Sequence, residues 1–208
     1  YGIMRHHYNA LPVVPKIFYK QNSQDNAKGA DSVHIVLDDE NDFTVWFGEA
    51  KFFNDISDSR LGDIVKSVGN SLATDKLKRE NSIITNVRDV DHLISDEHLL
   101  ERIKLTLSKR ESIYDINTNI HIPILIIHEC EITANNNRFT DEYKKSIIDF
   151  HKDRATAYFR KQINSLSELY MYESVTFHLI LLPVPNKKQI IDRFVSKVKV
   201  FKEDAADE

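Results

Sequence analysis

The sequence predicts an α/β fold: a mixed sheet flanked by helices, with an antiparallel hairpin at its chemically active centre. Three observations carry this reading. Two short runs rich in β-branched and aromatic residues, Val33-His34-Ile35-Val36-Leu37 and Phe43-Thr44-Val45-Trp46-Phe47, enclose the turn-like segment Asp38-Asp39-Glu40-Asn41-Asp42, which describes a β-hairpin with a five-residue connection. Further strand-like runs alternate with amphipathic helical patterns, as expected of helices packed on a sheet. The stretch from Ile120 to His128 is a nearly unbroken apolar run and reads as a central strand covered on both faces.

Taken in order, Tyr1-Gly2-Ile3-Met4-Arg5-His6-His7 reads as the tail of a helix whose start is absent. After the hairpin, Ser57 is placed to cap a helix in which Leu61, Ile64, Val65, Val68 and Leu72 recur at helical spacing. Arg60 and Lys66 fall off that stripe and are candidate contacts for nucleic-acid phosphates, and Lys76, Lys78 and Arg79 form a basic cluster that is a weaker candidate for the same contact. Most such charges on an amphipathic helix are simply solvated. A second helical pattern spans Asp96 to Lys109 through Leu99, Leu100, Ile103 and Leu107. Beyond the central strand, Ala134 to Phe139 is an Asn-rich loop, and Thr140 opens a long helix with Glu142 early, where negative charge suits the helix dipole. Its apolar stripe includes Tyr143, Ile147, Phe150, Tyr158 and Phe159. The strand Ser174 to Leu182 is expected to stop at Pro183-Val184-Pro185, and Ile190 to Phe201 is a last amphipathic helix.

Composition sets limits. With 208 residues, 41% of them hydrophobic, the chain can bury one core, so residues 1–202 are expected to form a single domain and 203–208 a solvated, mobile acidic tail. The net charge of −4 argues against a wholly basic nucleic-acid coat, though a local basic face can still bind phosphates. Cys130 stands alone, which excludes a disulfide within the sequence and fits a reducing, cytoplasmic setting. No apolar run approaches the roughly twenty residues that span a bilayer, so no membrane role is expected.

The residues of chemical interest are charges inside otherwise apolar strands. A buried carboxylate or ammonium is costly unless a partner or a metal offsets it. Counting by twos from Val45 puts Phe47, Glu49, Lys51 and Phe53 on one face of the sheet. Asp31 stands at the start of the partner strand, and antiparallel pairing brings that start beside the end of the second strand. Asp31 and Glu49, with the Ala50 carbonyl, are thus candidate ligands for Mg²⁺ or Mn²⁺, with positions left for water and a phosphate oxygen. Such a cluster suits phosphodiester hydrolysis. Lys51 would position the attacking water or neutralise charge developing on phosphorus, and beside two carboxylates it is expected to stay protonated, which favours the second role.

Plainer readings compete. Glu49 and Lys51 alone would be an ordinary ion pair, and only Asp31 and the flanking aromatic residues turn the balance. A calcium loop beginning at Asp38 would place Glu40, Asp42 and Glu49 correctly, but Phe43 occupies the position that requires glycine. The histidines show no zinc spacing. His34 and Trp46 alternate to the face opposite Asp31 and Glu49, which makes Trp46 a packing residue. His128-Glu129-Cys130-Glu131 reads as a strand end entering solvent.

The order Asp, hairpin, Glu-x-Lys resembles the PD-(D/E)xK nuclease superfamily. The fuller wording, Gly29-Ala30-Asp31-Ser32-Val33-His34 followed by Trp46-Phe47-Gly48-Glu49-Ala50-Lys51-Phe52-Phe53, is similar to the HamA nuclease family of the bacterial Hachiman antiphage system. The resemblance implies a restriction-endonuclease-like fold, DNA as substrate, a HamB-like helicase subunit as partner, and restraint of the nuclease by that partner until foreign DNA is processed. Nucleases of this kind often carry a further Glu on a helix before the first strand. No Glu precedes Asp31 here, and that carboxylate is expected upstream. Two other readings stay open: a catalytically silent nuclease-like module that binds DNA or protein, and a restriction or repair nuclease of the same superfamily.

Overall fold

The computed structural model describes residues 1–11, 31–38, 42–72, 91, 94–108, 120–169 and 172–205. Among them the strands β1 (Ser32–Leu37), β2 (Phe43–Phe53), β3 (Ile120–Glu129) and β4 (Val175–Val184) form a sheet in sequence order. β1 pairs antiparallel with β2, while β2 with β3 and β3 with β4 are parallel. The helices are α1 (Gly2–His7), α2 (Asp58–Ser71), α3 (Glu97–Ser108), the single turn α4 (Glu131–Ala134), α5 (Asp141–Leu166) and α6 (Lys187–Asp204). This is the mixed, helix-flanked sheet expected from the sequence.

Alternation decides which face of each strand is buried. On β3 the even positions Ile120, Ile122, Ile124 and Ile126 are at most 2% exposed and join Val45 and Phe47 of β2, Leu61, Ile64, Val65 and Val68 of α2, Leu99 and Ile103 of α3, and Tyr158 and Leu166 of α5 in one core. At about 1.5–3 kcal/mol for each fully buried aliphatic side chain, this row of isoleucines is a principal anchor of the sheet. The helices α2 and α5 close over it where Gly69 meets Leu166. A Cβ at Gly69 would lie 2.8 Å from Leu166 Cδ2, so the small residue permits the close approach.

The opposite face is covered less fully than the apolar run suggests. Its cluster comprises Met4 and Ala10 around Trp46, with Tyr8 and Val36 against them, while His121, Leu125 and Ile127 of β3 are only half-buried. Trp46 is 4% exposed and stacks on His121 and His178, as its packing role required.

Three expectations are corrected. β4 does not stop before Pro183: the ladder runs on through the pairs His128 with Pro183 and Glu129 with Val184. Among the described residues β4 is an edge strand, where a proline can direct its missing N–H away from the ladder. His128 and Cys130 do not enter solvent. His128 is fully buried and Cys130 6% exposed, because the Cys130 N–H donates to Val184 O (2.9 Å) and His128 faces His151 of α5 across 3.0 Å. The last helix is longer than its apolar pattern, and Glu203 and Asp204 of the expected tail lie within it.

Candidate metal centre

Hairpin register builds the centre. Ser32 pairs with Gly48, so the residue before β1 and the residue after Gly48 meet at one end of the pair. The Asp31 N–H donates to Gly48 O (2.7 Å), and the Ala50 N–H donates to Asp31 Oδ2 (2.8 Å). The connection between the strands is at the far end, where the Asp38 N–H donates to Asp42 O (3.0 Å) and Asp42 binds Arg102 of α3. Gly48 is needed for the close fit, since a Cβ there would collide with Ser32 Oγ.

The three expected side chains converge. Lys51 Nζ pairs with Glu49 Oε1 and lies 3.8 Å from Asp31 Oδ2. Glu49 is 4% exposed, Lys51 28% and Asp31 45%, so the cluster grades from a buried carboxylate outward to an accessible one. Formal charges sum to −1, a balance that favours a cation over an anion. The N–H and C=O of a strand residue point to the same side, and Ala50 directs its N–H to Asp31. Its carbonyl therefore faces the same edge, just beyond the start of β1.

The chemistry of the donors fits a hard divalent ion. One oxygen of Asp31 accepts from Ala50 and one oxygen of Glu49 accepts from Ser67 and Lys51, while the Ala50 carbonyl adds a further oxygen at that edge. All are oxygen donors of the kind Mg²⁺ and Mn²⁺ prefer. Among the described residues no group of three or more His, Cys, Asp or Glu side chains is arranged to hold a metal, so a cation here would rely on two carboxylates, backbone and water. The helix α1, before Asp31, packs on the Trp46 face, opposite Glu49.

Ser67 is the contact the sequence reading missed. Its hydroxyl donates to Glu49 Oε1 at 2.5 Å from the middle of α2. The available signal was a small hydroxyl interrupting the stripe Ile64, Val65, Val68. Lys187 was missed too. Its N–H donates to Glu129 Oε1 and its ammonium to Phe52 O, both at 2.7 Å, fastening the end of β2 immediately after Lys51.

The proposed phosphate contacts divide. Arg60 sits over the Phe53 ring, 5.4 Å from its centroid, and pairs with Asp63 at 3.7 Å, which brings it to the end of the row Glu49, Lys51, Phe53. Lys66 is exposed on α2, next to Ser67 in sequence but on no shared contact. Lys76, Lys78 and Arg79 lie outside the described residues.

His34, His121, His128, His151 and His178 are packing groups. Burial pushes His34, His121 and His151 down to about 4, and lowers His128 and His178 as well. In each pair a neutral ring shares a proton with its neighbour: His121 Nδ1 is 2.8 Å from His178 Nε2, and His128 Nε2 is 3.0 Å from His151 Nε2.

No helix among the described residues is long and apolar enough to cross a membrane. No curated protein and no solved structure matches the chain. A family model described as HamA matches residues 1–198 of the 208. The chain therefore belongs to the HamA family, the protein family of Hachiman antiviral defence.

Proposed function

We propose that this chain is a Mg²⁺- or Mn²⁺-dependent DNA nuclease, an endonuclease or nickase, serving as the effector of a Hachiman defence system together with a helicase subunit. The observation that carries the proposal is the convergence of Asp31, Glu49 and Lys51 at one end of the hairpin. Buried charge needs a purpose or a partner, and here a nearly buried carboxylate stands beside an accessible one with a lysine between them.

Asp31 and Glu49, with the Ala50 carbonyl, would hold the ion, which when bound supplies Lewis acidity and a water of lowered pKa. Ser67 and Lys51 fix one oxygen of Glu49 and so orient the other. Lys51, its side chain 28% exposed, is placed to offset negative charge that builds on a phosphodiester in the transition state. Arg60 and Lys66 of α2 are the cations nearest in sequence for the flanking phosphates, and Lys76, Lys78 and Arg79 extend that proposal. Restraint of the nuclease by the helicase is part of the same reading. Equal cutting by the purified subunit with and without its helicase would contradict that restraint.

A second reading is a silent module that binds DNA or protein. It is favoured by the lack of a third acidic side chain at the centre among the described residues. Cleavage of plasmid DNA with Mg²⁺ or Mn²⁺ separates the two. A nuclease loses cutting in Glu49→Ala while folding and DNA binding survive, whereas undiminished cutting by that variant removes the proposed centre.

A further inference from the structure

The core next to the candidate centre contains polar groups that packing alone does not explain. Tyr158 and Gln162 of α5 are both fully buried. Among the described residues the Tyr158 hydroxyl and both amide atoms of Gln162 have no hydrogen-bond partner. Each such group carries an uncompensated desolvation cost when left unpaired, and three of them on adjacent turns of one helix need a reason.

Their placement supplies one. Residues 158, 162 and 166 are successive i, i+4 positions and so form one row on α5. Tyr158 is within electrostatic reach of Glu49: burial first, then Tyr172 and the Glu49 charge, raise its phenol well above the usual range, so it remains a proton donor. At the other end of the row, Leu166 abuts Gly69 of α2, two residues beyond Ser67, the donor to Glu49. Gln162 lies between these two landmarks. The row therefore runs along the side of the centre that Glu49 and Ser67 define, on the same face of the sheet.

We propose that Tyr158 and Gln162 are positioning residues for the divalent centre, receiving ordered water of the cation's hydration shell behind Glu49. Water on a cation binds it through oxygen and donates its hydrogens outward, where the Tyr158 phenol oxygen and the Gln162 amide oxygen can accept them, while the Gln162 N–H₂ can donate to a further water. This rests on the proposed metal centre. It adds that the centre has an inner polar wall contributed by α5, which no spacing in the hairpin motif reveals.

Mn²⁺ binding by titration calorimetry on the intact protein, with thermal melting in EDTA alongside, tests the inference in Tyr158→Phe and Gln162→Met. Outer groups around metal sites typically change affinity 10–100-fold, so each variant should bind Mn²⁺ at least about tenfold more weakly. Melting in EDTA should be unchanged or higher, because an unpaired buried group has been removed. Unchanged Mn²⁺ affinity in both variants, with binding abolished by Glu49→Gln, overturns the inference and leaves the centre standing. Binding of Mn²⁺ by Glu49→Gln as tightly as by the unsubstituted chain overturns the centre itself. A fall in melting temperature with unaltered affinity would assign these side chains to the fold. Tyr158→Phe, which removes a single oxygen, keeps the test decisive should Gln162→Met not fold.

Discussion

Glu49 shows how much one side chain asks of its neighbours. At 4% exposure its carboxylate is separated from water, and Ser67 and Lys51 both engage its Oε1. Hydrogen bonds to charged groups are worth about 1.5–3 kcal/mol, so Ser67→Ala should destabilise the fold by roughly that amount, read by urea unfolding. It should also weaken metal-dependent cleavage about 10–100-fold. Loss of stability without loss of cleavage would make Ser67 a packing residue only. Lys51→Met should act differently, leaving Mn²⁺ binding near its original strength while cleavage falls about 10²–10³-fold, the scale of a lost electrostatic group in a transition state. A parallel fall in both would show that Lys51 serves to hold the ion.

At this scale the sequence was informative where backbone period governs. Asp31, Glu49 and Lys51 could be placed together because alternation and antiparallel order are local rules. Ser67, Tyr158 and Gln162 could not, since their relation to Glu49 depends on how α2 and α5 lie on the sheet, which no short-range spacing encodes.

Among the elements, the meeting of α2 and α5 is a close contact that a single residue controls. Valine at Gly69 would drive its side chain into Leu166, whose Cδ2 is already 2.8 Å from where a Cβ would stand. Overpacking of this kind costs about 1–3 kcal/mol, and Gly69→Val should lower stability by that amount. The penalty should shrink in a Leu166→Ala background, because the two positions share the contact. Additive effects in that double-mutant cycle would contradict the packing described. The hairpin, the α2 stripe and the start of α5 at Thr140, whose hydroxyl accepts from the Tyr143 N–H at 3.2 Å, were all legible from residue order. The continuation of β4 past Pro183 was not. A proline forbids a ladder hydrogen bond only on the side its nitrogen faces, and whether a strand lies on that side depends on the whole sheet.

For the whole molecule the neutral histidines set a pH limit. The folded protein holds His34, His121 and His151 at about 4, against 6.5 for a free imidazole. Between those values the unfolded chain binds protons that the folded one does not, so stability rises with pH across this window. It is complete above about 6.5 and is lost progressively as pH falls toward 4. Melting temperature should decline across that interval, and His34→Leu should flatten part of the slope. A melting temperature that stays level from pH 6.5 to 4.5 would contradict the neutral, buried state of these rings. The surroundings of α6 are less legible from the sequence than the sheet. No residue of α6 is buried, and Phe194 and Phe201 are 67% and 69% exposed. An amphipathic pattern indicates a helix with an apolar side, but carries no information on what that side meets.

All of these expectations return to one pair of carboxylates. A crystal soaked in Mn²⁺ and measured by anomalous scattering tests them most directly. A single strong peak is expected between Asp31 and Glu49, at roughly 2.0–2.2 Å from a carboxylate oxygen of each as for a small hard divalent ion, with Lys51 beside it. The absence of a peak there, or a peak held by other residues, would contradict the proposed centre.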